Sequence, residues 1–506
     1  MTLADHLTIL PIAIPALAAP ACVLVMRRRR RLGMAISALS CLLMLAAALA
    51  LLARAMDGTI TAYALGDWPA PFGIVLVADR LAAIMLVLTA TLGLIALAHA
   101  IITRADRKGW HFHALFQFQL MGLNGAFLTG DLFNLFVFFE VLLIASYGLM
   151  LHGQGPARLK AGVQYVVVNL VGSALFLIAL GLLYALTGTL NMADMGARVA
   201  AIAPADQGLL RIAALLLVSV FALKAALAPL HLWLVRTYAV ATPAVAALFA
   251  IMTKVGVYAL IRVVPQVFGE SAGAAAFVPA PWLWPAALVS AVIGFAGVFV
   301  ARALAEQAAF AVIGSTGTLL IAVSGWQVAS LGAGLFYLVH STLAAAALFL
   351  VADVAARRRG AFADSAAPGP AFADRAGVGL AFLLAGIGVA GLPPLSGFLG
   401  KLMILKAAAA QPQWGWAWGV ILGTTLIAVI GFARVGSAVF WKTAPVAEGP
   451  PAPASRADLI TPALALALLG ALAAGAGWAS ALAEDAARQV LDPAASARAV
   501  LGRGAP

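Results

Sequence analysis

LFNLFVFFEVLLIASYGLM, residues 132–150, is an apolar run broken by one carboxylate, Glu140. About 20 such residues cross the hydrocarbon core of a bilayer as a helix. A charge near the middle of such a helix costs at least ~2.5–3.5 kcal/mol, and it persists by facing protein and finding a partner. Two questions follow: whether the rest of the chain is also membrane-spanning, and where the partner of Glu140 lies.

The chain has 506 residues, of which 64% are hydrophobic and 10% charged, with a mean hydropathy of +1.05. Soluble domains carry about 25% charged residues. Apolar runs fall at 8–26, 33–53, 82–103, 112–130, 132–152, 161–187, 209–229, 243–263, 284–304, 308–326, 331–355, 377–411, 414–441 and 459–482. The fold class is therefore an all-α polytopic membrane protein with about 14 transmembrane helices. The N-terminal run lacks a preceding basic segment, and Arg27 to Arg31 follow it. That order predicts a retained first helix with a stop signal and not a cleaved leader.

The net charge of +12 does not point to nucleic acid, because no soluble domain is present to carry a binding surface. The basic residues gather instead in short loops: Arg27 to Arg31, then Arg104, Arg107 and Lys108, then Arg158 and Lys160, then Arg357 to Arg359. These all follow odd-numbered runs and so share one side, as cytoplasmic loops do. Both termini are then expected on the outer side, with Arg488, Arg498 and Arg503 as a discordant patch. Cys22 and Cys41 form no CxxC pair, and the seven histidines form no HExxH. Disulfide, zinc, iron–sulfur and haem chemistry are disfavoured, and the expectation is a transporter component without cofactor or metal, not an enzyme.

Two runs contain prolines that an unbroken helix cannot hold: KAALAPLH at 224–231, with Pro229, and GLPPLSGFLGK at 391–401, with Pro393 and Pro394. Paired interrupted spans point to an ion path at the breaks of a transporter with repeated halves. Three lysines lie within runs: Lys224, Lys254 and Lys401. A membrane lysine usually snorkels to the headgroups, which suits Lys406 near the end of its run. Lys254 sits about 16 Å into its run and Glu140 about 12 Å, at 1.5 Å per residue. An ammonium in low dielectric gives up its proton more readily, and a nearby carboxylate holds that proton in place. Glu140 with Lys224 thus reads as a switch, and Lys254 as the next carrier. His340 and His231 are weaker candidates, His231 an auxiliary one; His111 and His113 beside Trp110 suit the interface. Asp131 suits a helix turn, and nothing distinguishes Asn134, Ser173, Thr253 or Ser341.

GDLFNLFVFFEVLLIASYGL (130–149), LKAALAPLHLWL (223–234), LFAIMTKVGVYALIR (248–262) and GLPPLSGFLGKL (391–402) resemble the antiporter-like membrane subunits shared by respiratory complex I and Mrp-type cation/proton antiporters. The first and third are most similar to the D-subunit branch of the Mrp (Pha/Mnh) family. The resemblance covers about residues 75–440 and implies two inverted five-helix repeats, helices 4–8 and 9–13, with helices 7 and 12 broken. It implies a division into 1–103, a three-helix segment; 104–263, the first repeat; 264–442, the second; and 443–506, a cytoplasmic loop, last helix and tail. It also implies roles: Glu140 and Lys224 as the modulating ion pair, Lys254 at the centre of a hydrated axis, and His340 and Lys401 beyond it. Two departures stand out. Only alanines, around Ala345, occupy the place of a lysine found in many relatives, and Tyr238 replaces a histidine at the usual cytoplasmic route.

The resulting expectation is a proton-translocating subunit of a multisubunit Na+(K+)/H+ antiporter in a bacterial inner membrane. Its partners would be the other subunits, the bilayer, protons and monovalent cations. Rival readings are a membrane-arm subunit of complex I or a membrane-bound hydrogenase, and a non-conducting structural subunit. Gene neighbourhood separates the first from an antiporter, and neutralising Lys254 separates the second.

Overall fold

The computed structural model describes residues 6–372, 374–442 and 455–502. Most of the loop expected after residue 442, and Arg503 of the tail, lie outside these residues. The chain starts with α1 (Leu10–Met26) and α2 (Arg30–Ala55), then an antiparallel hairpin of β1 (Thr61–Ala64) and β2 (Val75–Ala78) that pairs Thr61 with Ala78. There follow α3 (Arg80–Ile102), α4 (Phe112–Leu128), α5 (Leu132–Met150), α6 (Pro156–Thr187), α7 (Met192–Ala200), α8 (Gln207–Lys224), α9 (Leu232–Val240), α10 (Pro243–Phe249) and α11 (Met252–Val267). The second half holds α12 (Ala280–Val300), α13 (Leu304–Val323), α14 (Val328–Arg358), α15 (Arg375–Ala390), α16 (Ser396–Ala408), α17 (Trp414–Gly436), α18 (Ile460–Ala474), α19 (Ala476–Val490) and α20 (Pro493–Leu501).

Among the described residues, 11 helical segments are long and apolar enough to cross a membrane, and α1 and α15 are shorter apolar helices. The run expected at 459–482 is two helices, because α18 ends at Gly475 and α19 starts after it. Both proline-bearing runs are interrupted as their sequences require: residues 225–231 separate α8 from α9, and 391–395 separate α15 from α16. The peptide bonds Ala228-Pro229 and Pro393-Pro394 are cis. A third interruption, which no proline announced, separates α10 from α11. There Ala250, Ile251 and Lys254 donate their backbone N–H groups three residues back and not four, the first two at 3.3 Å, so the regular α-helical pairing is interrupted and this turn is loosely tied.

The α10–α11 segment, α13 and α14 are the most enclosed long helices, whereas α2, α6 and α17 leave broad apolar faces open. Small residues let helices approach closely in an apolar medium, where dispersion and not water exclusion drives packing. Gly294 of α12 lies so near Gly314 of α13 that an added Cβ would come within 2.1 Å of its backbone nitrogen.

The basic loops converge on one end of the molecule. Arg30 pairs with Asp106 at 2.8 Å, His152 contacts the Ala105 carbonyl at 2.9 Å, and Arg158 lines one cavity with Ala356. At Asp106 burial works against the carboxylate, but hydrogen bonds and charge from His113 and Arg30 outweigh it and hold the carboxyl below its usual range. His113 is fully buried in that cluster, so it is a packing partner of Asp106 and not the interfacial residue its neighbour Trp110 suggested. The opposite end carries the hairpin: Leu76 bridges to Thr129, and Asp131 to Asn191. Asp131 caps α5 by accepting from the Asn134 N–H at 2.8 Å. His6 reaches Tyr63 of β1, and Gln489 of α19 reaches the Gly58 carbonyl, so both described termini approach the hairpin end. The discordant Arg488 is paired there with Glu484 and Asp485.

Candidate functional site

Glu140 lies on α5 and is partly exposed. Its carboxylate accepts a hydrogen bond from the Ser173 hydroxyl on α6. Lys224, the last residue of α8, is 4% exposed and donates to Asn169 Oδ1 at 3.2 Å. The end of a helix exposes carbonyls and a partial negative charge, which suits an ammonium. Among the described residues Glu140 and Lys224 do not form an ion pair within 4 Å; each instead bonds a side chain of α6, Ser173 and Asn169. Asn169 and Ser173 are four residues apart and so share one face of α6. Sequence reading missed both as partners of the charges; their spacing on an otherwise apolar helix was the available signal.

Lys254 is completely buried. Its ammonium has one hydrogen-bond partner among the described residues, Thr316 Oγ1 of α13 at 3.5 Å. That contact is long for a hydrogen bond, and an ammonium has three donors. The adjacent Thr253 hydroxyl is buried and has no hydrogen-bond partner among the described residues. Of the three membrane lysines, Lys254 is the least satisfied.

The second break collects the other two candidates. His340 of α14 lies 2.9 Å from Ser396 Oγ and 3.0 Å from the Gly388 carbonyl. Lys401 of α16 donates to the Ala390 carbonyl at 2.8 Å and to Thr425 Oγ1 at 2.7 Å, with its ammonium 4.9 Å from the centre of the Phe295 ring. The Ala390 carbonyl is free to accept because α15 stops there, whereas the Gly388 carbonyl also takes the capping Gly391 N–H at 3.1 Å, so the proline break helps to build this half of the site. Gly391 makes the turn at φ +78, where an added Cβ would come within 2.6 Å of the Lys401 side chain.

His231 sits in the first break, half-buried, with Nδ1 lacking a partner among the described residues. It contacts none of the lysines. Lys406 is exposed, as snorkelling requires. Tyr238 is fully buried, and its hydroxyl donates to the Phe249 carbonyl at 2.9 Å, directly at the loosened turn ahead of Lys254. Asn134 donates to Thr129, and Ser341 bonds its own helix backbone.

Residues 129–430 match the model of the NADH:quinone oxidoreductase/Mrp antiporter transmembrane family. The chain is 43% identical over 472 residues to the D subunit of a probable K(+)/H(+) antiporter from Rhizobium meliloti, covering 87% of each. It is 34% identical over 444 residues to the D subunit of a Na(+)/H(+) antiporter from Bacillus subtilis, covering 87% of this chain and 88% of that protein. Among solved structures, a chain of the Mrp complex from Dietzia sp. DQ12-45-1b superposes with a TM-score of 0.88 at 28% identity, over 99% of this chain and all of that one.

Proposed function

Because the chain belongs to the NADH:quinone oxidoreductase/Mrp antiporter transmembrane family, we propose that it is the proton-translocating membrane subunit of a multisubunit Na+(K+)/H+ antiporter. The observation that carries this reading is the set of buried cations held at helix interruptions: Lys224 and Lys401 beside the two proline breaks, Lys254 beside the loosened turn. Charges so deep in apolar helices are costly, and they mark ion or proton routes.

In this mechanism protons enter from the outer side and pass along water, Lys224, Lys254, His340 and Lys401. Partner subunits use that flow to extrude the cation. Glu140 acts as the switch on Lys224: close approach keeps the proton on the ammonium, and separation releases it toward Lys254. The arrangement with Ser173 on the carboxylate and Asn169 on the ammonium is read as the open setting of that switch. Each elementary charge crossing 100 mV supplies ~2.3 kcal/mol to the exchange.

Assembly with other subunits has its own support. Phe133, Val137 and Ile144 are 46%, 38% and 64% exposed, and with Glu140 they form one open face of α5 at helical spacing. A carboxylate on that face cannot front lipid tails cheaply, so a partner subunit is expected to cover it. The arginine-rich end faces the cytoplasm by the positive-inside rule, which puts both termini outside. The breaks that flank Lys224 and Lys401 in opposite chain order support fourteen spans and two inverted repeats, at 104–263 and 264–442, between a three-helix segment at 1–103 and a last unit at 443–506.

The test is cation-induced proton flux in inverted vesicles holding the whole complex, with Glu140→Ala and Lys254→Ala beside wild type. Loss of flux with assembly intact supports the mechanism. Wild-type flux in both variants would leave the charges as helix clamps.

A further inference from the structure

At the arginine-rich end a cavity of about 170 Å³ opens among α6, α9, α13 and α14, with room for several water molecules. Arg158, Asp353 and Asp364 supply its charged lining, and Tyr238 and Phe349 lie at its apolar side. Tyr238 ties the cavity wall to the α10–α11 junction, since its hydroxyl donates to the Phe249 carbonyl five residues before Lys254.

The Asp353 carboxylate accepts from Arg357 Nε at 2.7 Å and lies 3.0 Å from His99 Nε2. His99 comes from α3 and is fully buried. Its Nδ1 is 2.6 Å from the hydroxyl of Thr461 on α18. A hydroxyl can donate or accept. Thr461 therefore satisfies Nδ1 whether that nitrogen is bare or protonated, while Nε2–H donates to Asp353 in both states. No heavy atom has to move when the pair gains or loses a proton. The neighbouring Arg358 cluster with Asp374 and Asp458 lacks this property, because a guanidinium does not release its proton.

We propose that His99 and Asp353 form a proton-exchange site between bulk water at the arginine-rich face and the lysine row, with this cavity as its antechamber. The proposal rests on the proton-carrying reading above. Cavity water hands a proton to the pair, which holds it, and takes it back in the reverse step, so charge and atoms balance. The groups facing the pair are Arg357 of α14 and Thr461 of α18; Arg158 of α6 and Asp364, beyond α14, share the cavity with Asp353.

The experiment measures proton flux through the intact complex in inverted vesicles, with the pH at the arginine-rich face varied alone. The variants are Asp353→Asn, His99→Gln, Asp353→Glu and, as a reference, Lys254→Ala. Asp353→Asn and His99→Gln are expected to lower flux about tenfold and to abolish its response to pH at that face. Asp353→Glu is expected to restore both. Unchanged flux, or flux lowered equally at every pH with the response preserved, overturns the exchange site. If Lys254→Ala also conducts like wild type, the failure lies instead with the proton-carrying reading.

Discussion

Glu140 and Lys224 both bond to one face of α6: the carboxylate accepts from Ser173, and the ammonium donates to Asn169 one helical turn away. The two charges of the proposed switch are thus each held by a hydroxyl or an amide that can pass them toward or away from one another. That arrangement turns a question about two residues into one about four.

On this reading Ser173→Ala and Asn169→Ala each change proton flux. A hydrogen bond to a charged group is worth ~1.5–3 kcal/mol, so each loss is expected to be about ten- to a hundredfold, and Glu140→Ala at least as large. Because both side chains act on one pair, the double variant should fall well short of the product of the singles. Multiplicative effects in the vesicle flux assay would mean that α6 does not couple them.

On this reading Lys254 must be able to lose its proton, since its one hydrogen-bond partner among the described residues is a distant threonine hydroxyl. Lys254→Ala is expected to abolish flux. Lys254→Arg keeps the positive charge but cannot release a proton, so it should be equally inactive. Flux rescued by arginine would assign the residue an electrostatic role and not a carrier role.

Arg262 sits two turns beyond Lys254 on α11 and grips Asp79 with both terminal nitrogens, while Tyr258 donates to the Phe127 carbonyl at 2.6 Å. Breaking a buried pair from one side costs ~3–5 kcal/mol. Asp79→Asn should therefore lower the melting temperature of the detergent-solubilised complex clearly. Burial alone would raise the Asp79 pKa, yet the charge and hydrogen bonds of Arg262 hold it below the usual range. A depressed carboxylate stabilises fully above its unfolded value, about 4, and loses that contribution as pH falls through its folded value. The Asp79 contribution should then be constant from neutral pH down to about 4 and fade below it. A wild-type minus Asp79→Asn difference that vanished already at pH 6 would contradict this.

Gly391 is the residue on which the second break turns. Its positive φ and the 2.6 Å approach of Lys401 predict that Gly391→Ala costs about 1–3 kcal/mol through backbone strain and displaces the Lys401 ammonium from the Ala390 carbonyl. Reduced thermal stability together with reduced flux is expected. Normal stability and flux would show that the break tolerates a side chain, and so does not position the lysine.

Much of this architecture is legible in the order of residues. Hydropathy and the prolines locate the apolar runs and both breaks, because a helix in lipid must satisfy its own backbone and proline cannot take part. The loosened turn at Ala250 and Ile251 is invisible there: its residues are ordinary helix formers, and the Phe249 carbonyl is drawn to Tyr238 by tertiary packing alone. The division of the last run at Gly475 is equally hidden within a continuous apolar pattern.

The residues in order were enough to establish that the chain spans a membrane, which end carries the positive loops, and which charges lie too deep to reach water. Those properties depend on the cost of placing each residue in hydrocarbon, and that cost is paid residue by residue along the chain. The packing of the helices was needed to find which groups meet those charges: Ser173 for Glu140, Asn169 for Lys224, the carbonyls of a broken helix for His340 and Lys401, and Asp353 for His99. Hydrogen bonds depend on distances of a few ångströms between helices far apart in sequence, and helical periodicity orients a side chain without naming the neighbour it will find.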